Sequence, residues 1–178
     1  MASIDLEKVT EYIVFCPRCG KKLNRTKVNL RDCKNCGLHL YINPVTTTGA
    51  VLRNEKEELL LVKRSVEPNK GWWDIPGGFV DLNENLEDSL RRELKEELNV
   101  EVKYLRYLTS KVDIYKYRDV YYQTLGTIFE GSISSSDKLK ASDDISGYEF
   151  FRKDNFPVAK LAFKSLQEFF RTYLELDR

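Results

Sequence analysis

Three glutamates, Glu93, Glu96 and Glu97, stand at i, i+3 and i+4 within LRRELKEEL. On a helix that spacing puts three carboxylates on one face, at a cost of about 0.2–0.5 kcal/mol per like-charged pair. They also fall in the C-terminal half, where the helix dipole disfavours anions. Arg92 offsets part of this, with Asp88 and Glu96 one turn to either side. A divalent cation, Mg²⁺ or Mn²⁺, explains the cluster, because hard oxygen ligands suit those ions. On spacing alone, a solvated charged face explains it equally well.

The four cysteines, Cys16, Cys19, Cys33 and Cys36, form two Cys-x-x-Cys pairs. Each pair can turn two thiolates toward one point, and the residues between can form a hairpin that joins the two turns. Four sulfurs suit structural Zn²⁺ and leave no open position for catalysis. Two disulfides compete with this reading, but a cytoplasmic setting disfavours them. A redox pair would need only one of the motifs, beside a βαβ unit. The single histidine, His39, lies inside this segment and reads as a surface or packing residue, which argues against a His-based triad.

The glutamates need a helix to hold them. Leu86, Leu90, Leu94 and Leu98 recur at steps of four, so the spacing predicts a helix over 86–98 with one apolar stripe toward a core. Asn85 is placed as its N-cap, with Asp88 three residues on. Asn99 tolerates the left-handed position that follows the last turn.

The stretch Gly78, Glu84, Arg92, Glu93, Leu94, Glu96, Glu97, Asn99, Val100 resembles the signature of the Nudix hydrolases. One fixed position departs: Asn99 stands where that family has glycine, a mild change because both residues adopt positive φ. The preceding GWWDIPGG is similar to the family's W-x-x-P-G-G lead-in. The resemblance implies an α/β fold, an α/β/α sandwich around a mixed sheet. It also implies Mg²⁺-dependent hydrolysis of a nucleoside diphosphate linked to another moiety. On it, Glu93, Glu96, Glu97 and the Gly78 carbonyl are metal ligands. Glu93 is our choice of base, Glu97 shares the catalytic site, and Arg92 orients the carboxylates. Glu84 supports the loop. Asp143 or Asp144 is loosely matched to a late family carboxylate. CPRCG…CKNCG resembles the zinc ribbons that precede some Nudix domains, notably in the NADH pyrophosphatase branch. The downstream motifs of that branch and of ADP-ribose pyrophosphatases are absent, so the individual substrate stays open.

The chain has 178 residues and a formal charge of +1. That suits one medium domain with a small appendage, and no global field points to nucleic acid. No apolar run is long enough to span a membrane and no signal-peptide pattern opens the chain, so a cytoplasmic protein is expected. We divide it into an N-terminal extension (1–11), a zinc ribbon (12–42) and a Nudix domain (43–178). The ribbon's middle, KKLNRTKVNLRDCK, holds six basic residues against one acidic. A solvated hairpin explains this more readily than a nucleic-acid patch.

Val45–Arg53 and Glu58–Arg64 read as a hairpin, and Val100–Tyr107, Lys111–Tyr117, Tyr121–Phe129 and Gly147–Phe151 as strands. Gly131–Asp144 reads as a mobile loop, and Val158 to Tyr173 as a final helix after a turn at 154–157. Arg64 could meet a phosphate or serve as a surface arginine. Trp72, Trp73 and Tyr115 are candidates for stacking on a base, with core packing as the competing role. The expected partner is a small nucleotide, and a homodimer is compatible. The second reading is a nucleotide sensor, or a protein that binds or decaps RNA 5′ ends through its ribbon.

Overall fold

The computed structural model describes residues 6–102, 104–134 and 138–176. Its contacts group into two units, Met1–Val45 with Ile114–Gln123, and Thr46–Asp113 with Thr124–Arg178.

The first unit has little apolar material, and short strands and cysteine turns hold it. A one-turn helix, α1 (Leu6–Thr10), precedes strands β1 (Asn24–Lys27), β2 (Leu30–Asp32) and β3 (His39–Tyr41). They form an antiparallel sheet in the order β1-β2-β3. Arg31 corrects the view of residues 21–34 as wholly solvated. It is buried, and its guanidinium donates to the carbonyls of Thr10, Lys27, Val28 and Leu30. In the same unit the Tyr12 hydroxyl donates to the Tyr121 carbonyl at 2.7 Å.

The larger sheet is built on strands β4 (Val45–Arg53), β5 (Leu59–Arg64), β6 (Trp73–Asp74), β7 (Arg106–Tyr117), β8 (Val120–Ser132) and β9 (Ile145–Phe151), of which Val45 and Ile114–Gln123 group with the first unit. The sheet order is β6-β5-β4-β8-β7, and β9 pairs antiparallel along β5. Helices α2 (Leu86–Leu98) and α3 (Lys164–Leu176) cover its two faces. Alternation along β4 and β5 explains both layers. Ala50, Leu52, Leu60 and Val62 pack with Leu90, Leu94 and Leu98 of α2. Val51, Leu59 and Leu61 pack with Leu166, Phe169 and Phe170 of α3. The unbroken run Leu59–Val62 is therefore a strand buried on both sides. This is the expected α/β/α sandwich.

Helix α2 has the predicted bounds and caps. The Asn85 side chain accepts from the Asp88 N–H, and Asn99 takes φ 56°. Three expectations shift. Strand β7 begins at Arg106, while Val100 and Val102 fill the core on the α2 side instead. The final helix starts at Lys164, and Val158 lies in a 3₁₀ turn. The loop ahead of β9 is anchored: Lys140 N–H donates to Leu98 O, Ser142 N–H to Glu97 O, and Leu139 packs on the core. Residues 135–137 of that loop lie outside the described residues.

Candidate active site

The carboxylate face of α2 meets the backbone of residues 76–80. That segment runs antiparallel beside β4, with Ala50 N–H donating to Pro76 O, Thr48 N–H to Gly78 O and Val80 N–H to Thr46 O. The backbone demands glycine at Gly77, and at Gly78 a side chain would compete with Glu93 for space. Gly77 has φ 139°, and a Cβ there would lie 2.2 Å from Thr48 O. A Cβ on Gly78 would lie 2.4–2.6 Å from the Glu93 carboxyl atoms. The absent side chain at Gly78 is thus the space that Glu93 fills.

Arg92 organises the face, but through partners other than Asp88. It grips Glu84 with two hydrogen bonds, Nε to Oε1 at 2.8 Å and Nη2 to Oε2 at 2.9 Å. Its Nη1 donates to Glu93 at 2.8 Å and Glu96 at 3.0 Å, and its Nη2 to Phe79 O at 3.0 Å. The Arg92 hydrogen bonds hold the Glu84 carboxyl down at about 2. Asp88 pairs with Asn85 at the helix cap instead.

The three glutamates differ in environment. Glu96 is about half exposed, and Glu93 is mostly covered. Glu97 is buried, and its Oε2 accepts the Gly77 N–H at 2.9 Å. Burial first, then repulsion from Glu93, Asp74 and Asp144, push the Glu97 carboxyl up to about 8 against the pull of that N–H. Burial also raises Glu93, with Glu96 and Asp143 adding repulsion. Asp143 and Asp144 are therefore electrostatic neighbours of this face. Sequence spacing placed them only loosely.

Among the described residues only the four cysteines stand close enough together to share an ion as they are. Glu93 beside Gly78, Glu97 at Gly77 N–H and Glu96 on Arg92 supply the hard oxygen donors that a divalent cation takes. The Gly78 carbonyl uses one lone pair on Thr48 N–H and has a second to offer. Close by, the buried Thr48 Oγ1 has no hydrogen-bond partner among the described residues.

The remaining candidates separate. Arg64 is committed internally: its Nη1 pairs with Asp74 at 3.0 Å and its Nε donates to Pro68 O at 2.8 Å. Burial raises the Asp74 carboxyl to about 6, although Arg64 pulls it down. Asp74 itself was missed, since a lone aspartate in WWDIPGG gives no periodic signal. Trp73 packs on the α3 side, edge-on to Phe151 at 5.2 Å, whereas Trp72 is exposed. Tyr115 belongs to the first unit.

The cysteines do converge. All four Sγ atoms lie within 4.8 Å of one another, with Cys16–Cys36 at 3.6 Å and Cys19–Cys33 at 3.5 Å. The two turns repeat one design. Gly20 N–H donates to Cys16 O and Gly37 N–H to Cys33 O, with φ of 72° and 73° at the glycines. The cluster could hold a metal ion. His39 stands apart from it, paired with Asp32 at 2.6 Å on the surface.

Residues 43–173 match the NUDIX domain, and the chain belongs to that family. It is a Nudix hydrolase by fold and by relatives. An ADP-ribose pyrophosphatase of Methanocaldococcus jannaschii is 34% identical over 146 residues, covering 81% of this chain and 80% of that protein. The NAD-capped RNA hydrolase NudC of Haemophilus influenzae is 35% identical over 101 residues, 54% of this chain and 38% of that one. A NUDIX hydrolase structure from Nitrosomonas europaea superposes with TM-score 0.69 over 90% of both chains, at 23% identity. The NUDIX domain of Shewanella oneidensis NrtR, crystallised with ADP ribose, gives TM-score 0.60 at 25% identity, over 75% of this chain and 89% of that one.

Proposed function

We propose that the protein hydrolyses the pyrophosphate of an ADP-ribose-like or NAD-like nucleotide with Mg²⁺ held by Glu93, Glu96, Glu97 and the Gly78 carbonyl. The observation that carries this reading is the buried Glu97 carboxylate, tied to Gly77 and crowded by acids, beside a backbone with no side chains in the way. When bound, the ion neutralises the pyrophosphate and lowers the pKa of water. The protein's own groups do the rest. Arg92, fixed by Glu84, holds Glu93 and Glu96 in place. Glu93 is the proposed base that takes a proton from water. Asp143 or Asp144 can supply a further carboxylate from the loop that Ser142 pins to α2. Trp72 offers an exposed ring for the base. Trp73 and Arg64 serve packing and Asp74 instead.

In the first unit, Zn²⁺ at Cys16, Cys19, Cys33 and Cys36 is the proposed structural ion, consistent with a reducing cytoplasm. A second reading takes the pyrophosphate at a capped RNA 5′ end. It is favoured by Arg18, Lys21, Lys22, Lys27 and Lys34, exposed and without ion pairs among the described residues, and by exposed Phe15 and Tyr41.

The test is a Mg²⁺-dependent hydrolysis screen over ADP-ribose, NADH, dinucleoside polyphosphates, nucleotide sugars and NAD-capped RNA. Selective turnover of a free nucleotide supports the first reading. A preference for capped RNA that fades with salt supports the second. No turnover of any of them defeats both.

A further inference from the structure

The bridge Thr47↔Phe79 and the bond from Thr48 N–H to Gly78 O place Thr48 directly opposite Gly78 in antiparallel register. Opposed residues point to the same face, with Cβ atoms about 4.5–5.5 Å apart. At Gly78 that direction runs into the Glu93 carboxylate. The Thr48 side chain therefore flanks the same carboxylate, on the row it shares with Ala50 and Leu52 facing α2. Thr48 is only 4% exposed, and its hydroxyl is a buried side-chain atom with no hydrogen-bond partner among the described residues. Leaving a hydroxyl buried and unpaired is destabilising. Valine has nearly the same shape and would fill the position without that cost.

We infer that Thr48 is a positioning residue for Glu93, its hydroxyl donating to the Glu93 carboxylate when that group turns from Arg92 toward a divalent ion. This rests on the proposed metal reading of the glutamates. In the conformation described, Glu93 accepts from Arg92 Nη1 at 2.8 Å and leaves Thr48 unused. A cation drawing on Glu93 and Glu96 competes with that guanidinium. The hydroxyl then offers a neutral donor, one that does not repel the ion as Arg92 does.

The experiment uses the full chain and compares Thr48→Val, Thr48→Ser and Glu97→Gln with wild type. Mn²⁺ binding is read by electron paramagnetic resonance, and melting is followed in EDTA. Thr48→Val should melt at or above the wild-type temperature in EDTA, yet bind Mn²⁺ roughly tenfold more weakly, the loss expected for one hydrogen bond to a charged group. Thr48→Ser, which keeps the hydroxyl, should bind within about threefold of wild type. A merely structural threonine would show the reverse, a lower melting temperature and unchanged Mn²⁺ affinity. Equal Mn²⁺ affinity for wild type and Thr48→Val overturns the inference while the metal site stands. So does failure of serine to restore binding. If wild type binds no better than Glu97→Gln, the metal reading itself is wrong and the inference falls with it.

Discussion

At the scale of single residues, the site is defined by how differently its carboxylates are solvated. Glu97 is raised to about 8 first by burial. A carboxyl raised in the folded state favours folding below its unfolded pKa, and that contribution is lost as pH rises through the folded value. The metal-free protein should therefore lose stability between about pH 4.5 and pH 8. Asp74, raised to about 6, and Glu93, raised as well, act in the same direction, so from pH 6 to 8 the comparison with Glu97→Gln is what separates the Glu97 share. Thermal melts in EDTA across that range should show a falling melting temperature, which Glu97→Gln flattens. A wild-type melting temperature that rises over the same range would contradict the assignment. Arg64 invites a different test. Removing one partner of a mostly buried pair leaves the other charge stranded, at a cost of about 3–5 kcal/mol for full burial and less where some water reaches it. Arg64→Ala should lower stability by about 2 kcal/mol, measured by urea denaturation, while Arg64→Ala with Asp74→Asn should recover most of it. The glutamates were legible because helical spacing turns identity into position. Thr48 and Asp74 were not, because nothing local marks a strand threonine that lies opposite Gly78 or an aspartate that meets Arg64.

At the scale of elements, α2 and the backbone of residues 76–80 form one device. The leucine stripe seats the helix on β4 and β5, and the glycines let its opposite shoulder touch a bare backbone. The two glycines should respond differently to alanine. At Gly77 the new Cβ meets the Thr48 backbone and the φ is unfavourable, so Gly77→Ala should cost several kcal/mol of stability, on the order of other strained-backbone substitutions. At Gly78 the obstacle is the end of the Glu93 side chain, which can move. Gly78→Ala should stay folded but displace Glu93, weakening Mn²⁺ binding with a melting curve close to wild type. Equal loss of stability in both variants would argue against this division. The helix was fully legible, since caps and stripe agree at both ends. The strand at Val100 was misread because valines buried in a loop look like valines in a strand. The early start assigned to the last helix has a similar cause: Val158 packs on the α3-side core from a 3₁₀ turn.

At the scale of the whole molecule, each unit is assigned its own proposed ion. The cysteine turns were legible from spacing alone, because the repeated Cys-x-x-Cys-Gly leaves little freedom: each glycine takes the positive φ that closes its turn. The buried Arg31 was not, since a basic residue inside a basic run gives no sign of its carbonyl partners. Metal analysis of protein purified without added zinc should find about one Zn per chain. Cys33→Ser should release it and speed hydrogen exchange across residues 12–42. An intact zinc content in that variant would contradict the four-thiolate site. The account's central claim concerns the other unit, that the α2 glutamates hold the ion used for pyrophosphate hydrolysis. Its most direct test is ADP-ribose turnover with Mg²⁺, following AMP and ribose 5-phosphate by phosphorus NMR, for wild type and Glu97→Gln side by side. The account predicts Mg²⁺-dependent formation of both products by wild type, and a fall of about a hundredfold or more in kcat for a folded Glu97→Gln. Turnover at the wild-type rate by that variant would contradict it.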